Sequence, residues 1–347
     1  MKGGAYVKRV SLIALVALIA IAGTLNLVKR REMAFGTACY GGQIFIENIL
    51  PNSKAEKAGL RSGDIICSID GRAITNSVQA EWGIHRLLPG KTITFEIQRG
   101  DSLFEIRLGP ERPMATGYVV LNQIIGLIFA LLGIVVWWSG GRDPTVSAFL
   151  RLNILASIAI LLESHNTVFA SPILRTFYGL TWLGAYLFLP ASLADFLFRF
   201  PRRTSFRRGM RLLFFYAPFA LLLALAGFSY GAATLSGDFL WISRYAFLFG
   251  VVFAFLLVVY ILLSLGRLVY VSWRPLNLWE KNQNRWLLLC TAVGISPFIF
   301  LHKLPILMGW PPILSGGAAI SFLLLVPVGW GMAVASFRML KVEWTLS

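Results

Sequence analysis

Of 347 residues, 57% are hydrophobic and only 14% charged, with a mean hydropathy of +0.70, which excludes an ordinary soluble globular chain. Three cysteines exclude a disulfide framework. The net charge of +16 raises nucleic acid as a partner, but residues 29–112 carry twelve basic against ten acidic side chains. The excess therefore lies at the N-terminus and in short loops between apolar runs, as in membrane proteins that collect Lys and Arg on the cytoplasmic side. Nucleic acid is set aside.

The first apolar run, Val10–Val28, follows Lys2, Lys8 and Arg9. It reads as an uncleaved membrane anchor, because the apolar residues continue past the small-residue Ala-Gly-Thr stretch where a signal peptide would be cut. Residues 1–32 are assigned to this anchor. Polarity then changes, and residues 33–112 read as a soluble domain. Ile44–Ile46 is a short strand and Lys54–Leu60 a short helix. Ile65–Ile69 is a second strand, closed by Asp70-Gly71, a hairpin-type dipeptide. Thr75–Leu88 can form a helix, N-capped by Asn76 or Ser77 and ended by Pro89-Gly90. Residues 91–97 and 103–108 alternate as two strands around Arg99-Gly100-Asp101. Cys39 and Cys67 are expected as thiols, and Cys290 as a small buried residue.

From Pro113 onward the chain is apolar. Seven further spans are predicted at Val119–Trp138, Val146–Leu162, Thr176–Phe198, Leu212–Phe228, Phe239–Leu265, Trp286–Leu301 and Ile313–Phe337, each near the length that crosses a bilayer. Arg199, Arg202, Arg203, Arg207, Arg208 and Arg211 fill one loop with no acid. Two other basic regions, Arg267–Arg285 and Arg338–Lys341, fall on the same side when eight spans are counted. Both termini are then cytoplasmic, with residues 33–112 outside. Asp195 lies one helical turn before Arg199 and is expected to pair with it inside the membrane boundary. Arg151, Glu163 and Arg244 sit near span ends and are expected to snorkel to headgroups. The histidines His85, His165 and His302 are far apart, and no His-Glu-x-x-His element is present. No metal or other cofactor is expected, nor an enzymatic role.

The stretch Glu47–Ile74, with Ala58-Gly59-Leu60, Gly63-Asp64 and Asp70-Gly71, resembles the bacterial PDZ pattern. The resemblance implies an α+β, partly open barrel that binds the extended C-terminus of a partner, the peptide adding a strand to a sheet edge. It further implies a carboxylate loop at Phe35-Gly36-Thr37 and a closing helix presenting Gln79, Gly83 and either Arg86 or Leu87 to the peptide. The fold class expected is thus a mostly α, polytopic bundle of about eight spans with one inserted PDZ-like domain.

A second resemblance is carried by Gly141-Arg142-Asp143-Pro144, Leu189-Pro190-Ala191, Phe198-Arg199-Phe200-Pro201, Asn282–Trp286 and Phe337–Trp344. Residues 117–345 look like the multi-span sensory half of bacterial membrane histidine kinases of the competence quorum-sensing type. That resemblance implies residues 113–347 are a seven-span sensory domain with a short cytoplasmic tail. It also implies inner-membrane location and a cytoplasmic kinase or phosphatase partner, because the output domain would follow Ser347. A homodimer stays open. The function expected is a receptor for a peptide or membrane signal; the alternative is a transporter or secretion component that uses the PDZ domain as a tether.

Overall fold

The computed structural model of the protein describes residues 2–29, 31–40, 43–74, 80, 83, 91–113, 116–140, 143–162, 169, 171–200, 208–236, 240–273, 278–303, 305, 313–314 and 316–334. Helix α1 (Lys2–Lys29) is followed by the small domain. Its strands are β1 (Arg31–Glu32), β2 (Phe35–Tyr40), β3 (Gln43–Ile49), β4 (Ile65–Ile69), β5 (Arg72–Ala73), β6 (Ile93–Arg99), β7 (Ser102–Leu108) and β8 (Arg112–Pro113), with helix α2 (Lys54–Lys57) between β3 and β4. The main sheet is antiparallel in the order β2-β3-β4-β6-β7, with β5 hanging from β4. It is not a closed barrel. Strands β1 and β8 pair with each other, Arg31 opposite Pro113 and Glu32 opposite Arg112, so the two ends of the domain meet where the chain leaves and re-enters the helical region.

Sequence alternation explains the sheet. In β6, Ile93, Phe95 and Ile97 are buried while Thr94, Glu96 and Gln98 turn outward, the period-2 pattern of a one-sided strand. They join Ile44, Ile46, Ile66, Ile69, Ile106 and Leu108 in one core. Asp70 and Gly71 both take positive φ, 50° and 72°, and connect Ile69 to its partner Arg72. That is the left-handed pair a two-residue hairpin of this hand requires. Ser53 caps α2 by accepting the Glu56 N–H at 3.1 Å, and Glu56 accepts the Asn52 N–H at 2.6 Å. This reciprocal arrangement is the logic of a capping box.

Among the described residues, seven helices are long and apolar enough to cross a membrane. They are α1, α3 (Thr116–Gly140), α4 (Pro144–Leu162), α5 (Pro172–Leu197), the composite Arg208–Ser236, α8 (Leu240–Ser272) and the composite Leu278–Lys303. The first composite is α6 (Arg208–Arg211), a π-helical turn Leu212–Tyr216, and α7 (Ala217–Ser236). The second is α9 (Leu278–Ser296) continued by a π-helical turn Pro297–Lys303. The eighth expected span is divided into α10 (Gly316–Phe322) and a short apolar helix α11 (Leu325–Val334). Pro327 explains the division: it cannot donate to the Leu323 carbonyl, and its ring crowds that turn.

Small residues and buried amides hold the bundle together. Helix α1 packs against α3 and α4, α3 against α4, and α5 against α4, α7 and α8. A Cβ added at Gly133 of α3 would lie 2.8 Å from the Asn153 Cβ of α4, so this crossing depends on glycine. Asn122 donates to the Ile160 carbonyl at 2.6 Å and Gln123 to the Leu161 carbonyl at 3.1 Å. Asn26 of α1, fully buried, donates to the Tyr178 hydroxyl at 3.1 Å. Phe196 is flanked by Phe149, Phe200 and Trp330, with ring centroids 5.6, 5.8 and 5.3 Å away, tying α4, α5 and α11 into one core.

Candidate peptide groove and buried charge cluster

Among the described residues β2 pairs only with β3, which leaves its other edge as the place where a further strand can add. Phe35, Gly36 and Thr37, expected in a loop, form the start of this edge strand. The pairing shifts between Gly36 and Thr37, so that Gly36 faces Asn48 and Thr37 faces Ile46. This irregularity re-aims the backbone at the point where a peptide end would arrive. Phe35 packs edge-on against Phe95, centroids 5.7 Å apart, and Thr37 is exposed. The Gly36 N–H is donated to the Asn48 side-chain carbonyl at 3.0 Å. A Cβ at Gly36 would lie 2.7 Å from that oxygen.

Gly83 is buried, and a Cβ there would come within 2.9 Å of Ile69 Cδ1. The PDZ resemblance implies that Gly83 is presented to the peptide. The structure sets Gly83 itself against Ile69 of β4, on the core side. Gln79, Arg86 and Leu87 lie outside the described residues.

One structural element was missed in the sequence. Asp64, 2% exposed, accepts both Nε and Nη2 of Arg99, each at 2.7 Å, and the Arg61 N–H at 2.7 Å. Arg99 also donates to the Gly59 carbonyl at 2.7 Å. The fork thus clamps the Gly59–Asp64 turn to the end of β6. Burial pushes the Asp64 carboxyl up, but the Arg99 hydrogen bond, the Arg61 N–H and both positive charges outweigh it and hold the group below the usual carboxylate value. Burial, followed by the charge of Glu96, pushes the free thiol of Cys67 up. The side chain of Cys39 lies outside the described residues, and Cys290 is a free thiol.

In the bundle, Asp195 is completely buried. Arg199 grips it with two nitrogens, at 2.9 and 3.0 Å. Two further arginines join them: Arg151 of α4 at 2.6 Å and Arg211 of α6 at 3.7 Å. The Tyr216 hydroxyl, carried inward by the π-helical turn, donates to the same carboxylate at 3.1 Å. Arg151 was expected to reach for headgroups, but the carboxylate of α5 captures it. An unpaired carboxylate at this depth would be costly, and these donors remove that cost while linking α4, α5 and the α6 turn. Arg199 also donates to the Pro144 carbonyl at 3.3 Å. Glu163 and the side chain of Arg244 lie outside the described residues. His302 faces the Leu314 carbonyl at 3.0 Å, and no group of residues suited to a metal occurs among the described residues.

Residues 25–108 match the PDZ domain family model. The chain is a membrane protein that carries a PDZ domain. Similar curated proteins include Regulator of sigma-E protease RseP of Escherichia coli (strain K12), 37% identical over 79 residues, which are 22% of this chain and 16% of that protein. Serine protease HTRA1 of Xenopus tropicalis is 36% identical over 67 residues, 19% of this chain and 14% of that protein. HTRA1 of Xenopus laevis matches at the same identity and length. The chain spans about a sixth of the length of these relatives, and the shared part is the PDZ domain. No solved structure matches the chain.

These relatives overturn the expectation of a chain without an enzymatic role: its PDZ domain is one that proteases carry. Their activity belongs to them, since the shared segment holds none of their remaining length. The resemblance of residues 117–345 to histidine-kinase sensory halves receives no support from the matches.

Proposed function

We propose that this membrane protein uses its PDZ domain to capture the extended C-terminal end of another polypeptide, presented to a domain held at the membrane by helices on both sides. The observation that carries the reading is the unpaired edge of β2, which begins at Phe35-Gly36-Thr37 and lies in a domain matching the PDZ family. A peptide there would continue the sheet, and backbone N–H groups at the start of β2 would face its carboxylate. Because Asn48 already occupies the Gly36 N–H, binding requires that side chain to swing away. Asn48 is exposed and free to do so. Gln79 and Leu87 would line the opposite wall. The relatives' names favour a setting in which the captured end belongs to a protein bound for proteolysis or for its regulation.

A second reading, a receptor that signals to a cytoplasmic kinase or phosphatase, has one structural observation in its favour. Two pieces of the sensory motif series meet, with Arg199 reaching both Asp195 and the Pro144 carbonyl. The experiment that tests the main proposal is binding of a peptide library to a segment spanning residues 31–113. Free C-termini should be preferred over amidated ones. Gly36→Val keeps the N–H but sets a branched side chain where the carboxylate approaches, and should weaken binding by roughly tenfold, as much as one hydrogen bond to an ionised group contributes. Equal binding of the free and amidated forms would show that no carboxylate site exists.

A further inference from the structure

The cluster at Asp195 holds more positive charge than its carboxylate can balance. Three guanidinium groups surround one fully buried carboxylate, an excess of two charges, and among the described residues no other acid is paired with these arginines. Arg267 adds a cation nearby, its guanidinium 5.7 Å from the Phe198 ring. Like charges so close in a bundle of apolar helices repel strongly unless an anion or water reaches them. The three differ in access. Arg199 is mostly enclosed, at 12% side-chain exposure. Arg151 and Arg211 remain open, at 46% and 23%. Asp195 therefore acts as the fixed pivot, and two arginine forks stay partly exposed on its outer side. Planar forks of this kind suit phosphate oxygens.

The surroundings indicate where the phosphate comes from. Directly beside Arg211, Met210, Leu212, Leu213 and Phe214 are exposed, at 58, 52, 71 and 50%. A free anion has no use for that apolar strip. A molecule with a phosphate head and hydrocarbon tails fits both parts at once, the head on the arginines and the tails along the π-helical turn. Single π-helical turns inside a longer helix, as here, recur at functional sites. We propose that Arg151 and Arg211, oriented by Asp195, form a site for the phosphate of an anionic membrane lipid.

The test uses the full chain in nanodiscs. Phosphatidylcholine alone is compared with phosphatidylcholine doped with phosphatidylglycerol, and with phosphatidylcholine plus inorganic phosphate. Bound lipid is counted by native mass spectrometry and the unfolding temperature is recorded. Phosphatidylglycerol should be retained and should raise the unfolding temperature. Arg151→Gln and Arg211→Gln should each weaken its retention roughly fivefold, the usual share of one arginine at a membrane surface. Arg285→Gln, an exposed arginine on α9, should not. Equal retention in the double variant, or an equal loss in Arg285→Gln, overturns the site. The same gain from inorganic phosphate overturns the lipid assignment. Should the double variant not fold, a phosphatidylglycerol with a photoreactive acyl chain decides on the unaltered protein. Crosslinks within residues 208–216 support the proposal, and crosslinks confined to other segments refute it.

Discussion

Replacing Asp64 by asparagine perturbs the PDZ domain at one defined point. The carboxylate takes three hydrogen bonds, two from Arg99 and one from Arg61, each at 2.7 Å. Asparagine keeps one acceptor and turns an NH2 group toward a donor. Hydrogen bonds to a buried charge are worth about 1.5–3 kcal/mol each, but Arg99 regains water on release, so the net loss at Asp64 is about 2 kcal/mol. For a domain of this size that lowers the melting temperature by about 10 °C.

The pH dependence follows from the depressed Asp64 carboxyl. A group held below its unfolded value, about 3.9, stabilises fully above that value and loses the contribution as pH falls through the folded one. Thermal unfolding of a 31–113 segment, which contains both closing strands and the whole core, should therefore show the full gap between native and Asp64→Asn forms at pH 7. The gap should stay constant down to about pH 5 and close below about pH 4. A variant as stable as the native domain at pH 7, or a gap undiminished in acid, would refute the clamp.

The same segment tests the packing of Gly83. Gly83→Val drives carbon into Ile69, whose Cδ1 would stand 2.9 Å from the new Cβ, and should destabilise the domain by about 1–3 kcal/mol in urea unfolding. Gly36→Ala meets first the exposed Asn48 side chain, which can move aside, and should unfold like the native domain. The orientation is tested by single cysteines in intact cells. Ser102→Cys should be labelled from outside by a membrane-impermeant reagent and Ser205→Cys should not, because the loop at 199–211 carries six arginines and no acid. Labelling of the second position from outside would invert the topology.

The membrane character, the approximate positions of the spans and the PDZ motif were all legible in the sequence. Each is a local property: an apolar run long enough to cross a bilayer, or the Gly59, Gly63 and Asp70-Gly71 positions that force particular turns. The alternation in Ile93–Arg99 likewise names a strand and its inner face without reference to any other segment. What the sequence could not reveal is which distant residue meets which. Asp195 and Arg199 are one helical turn apart and their pairing was readable. Arg151, 44 residues earlier, joins them only because α4 packs against α5. Gly83 reads as a gap in a groove until β4 places Ile69 beneath it. Asp64 and Arg99 lie 35 residues apart, in a turn and at a strand end, and no periodicity links those positions. Such contacts depend on how elements cross and which edges pair, and helical or strand periodicity carries no record of either.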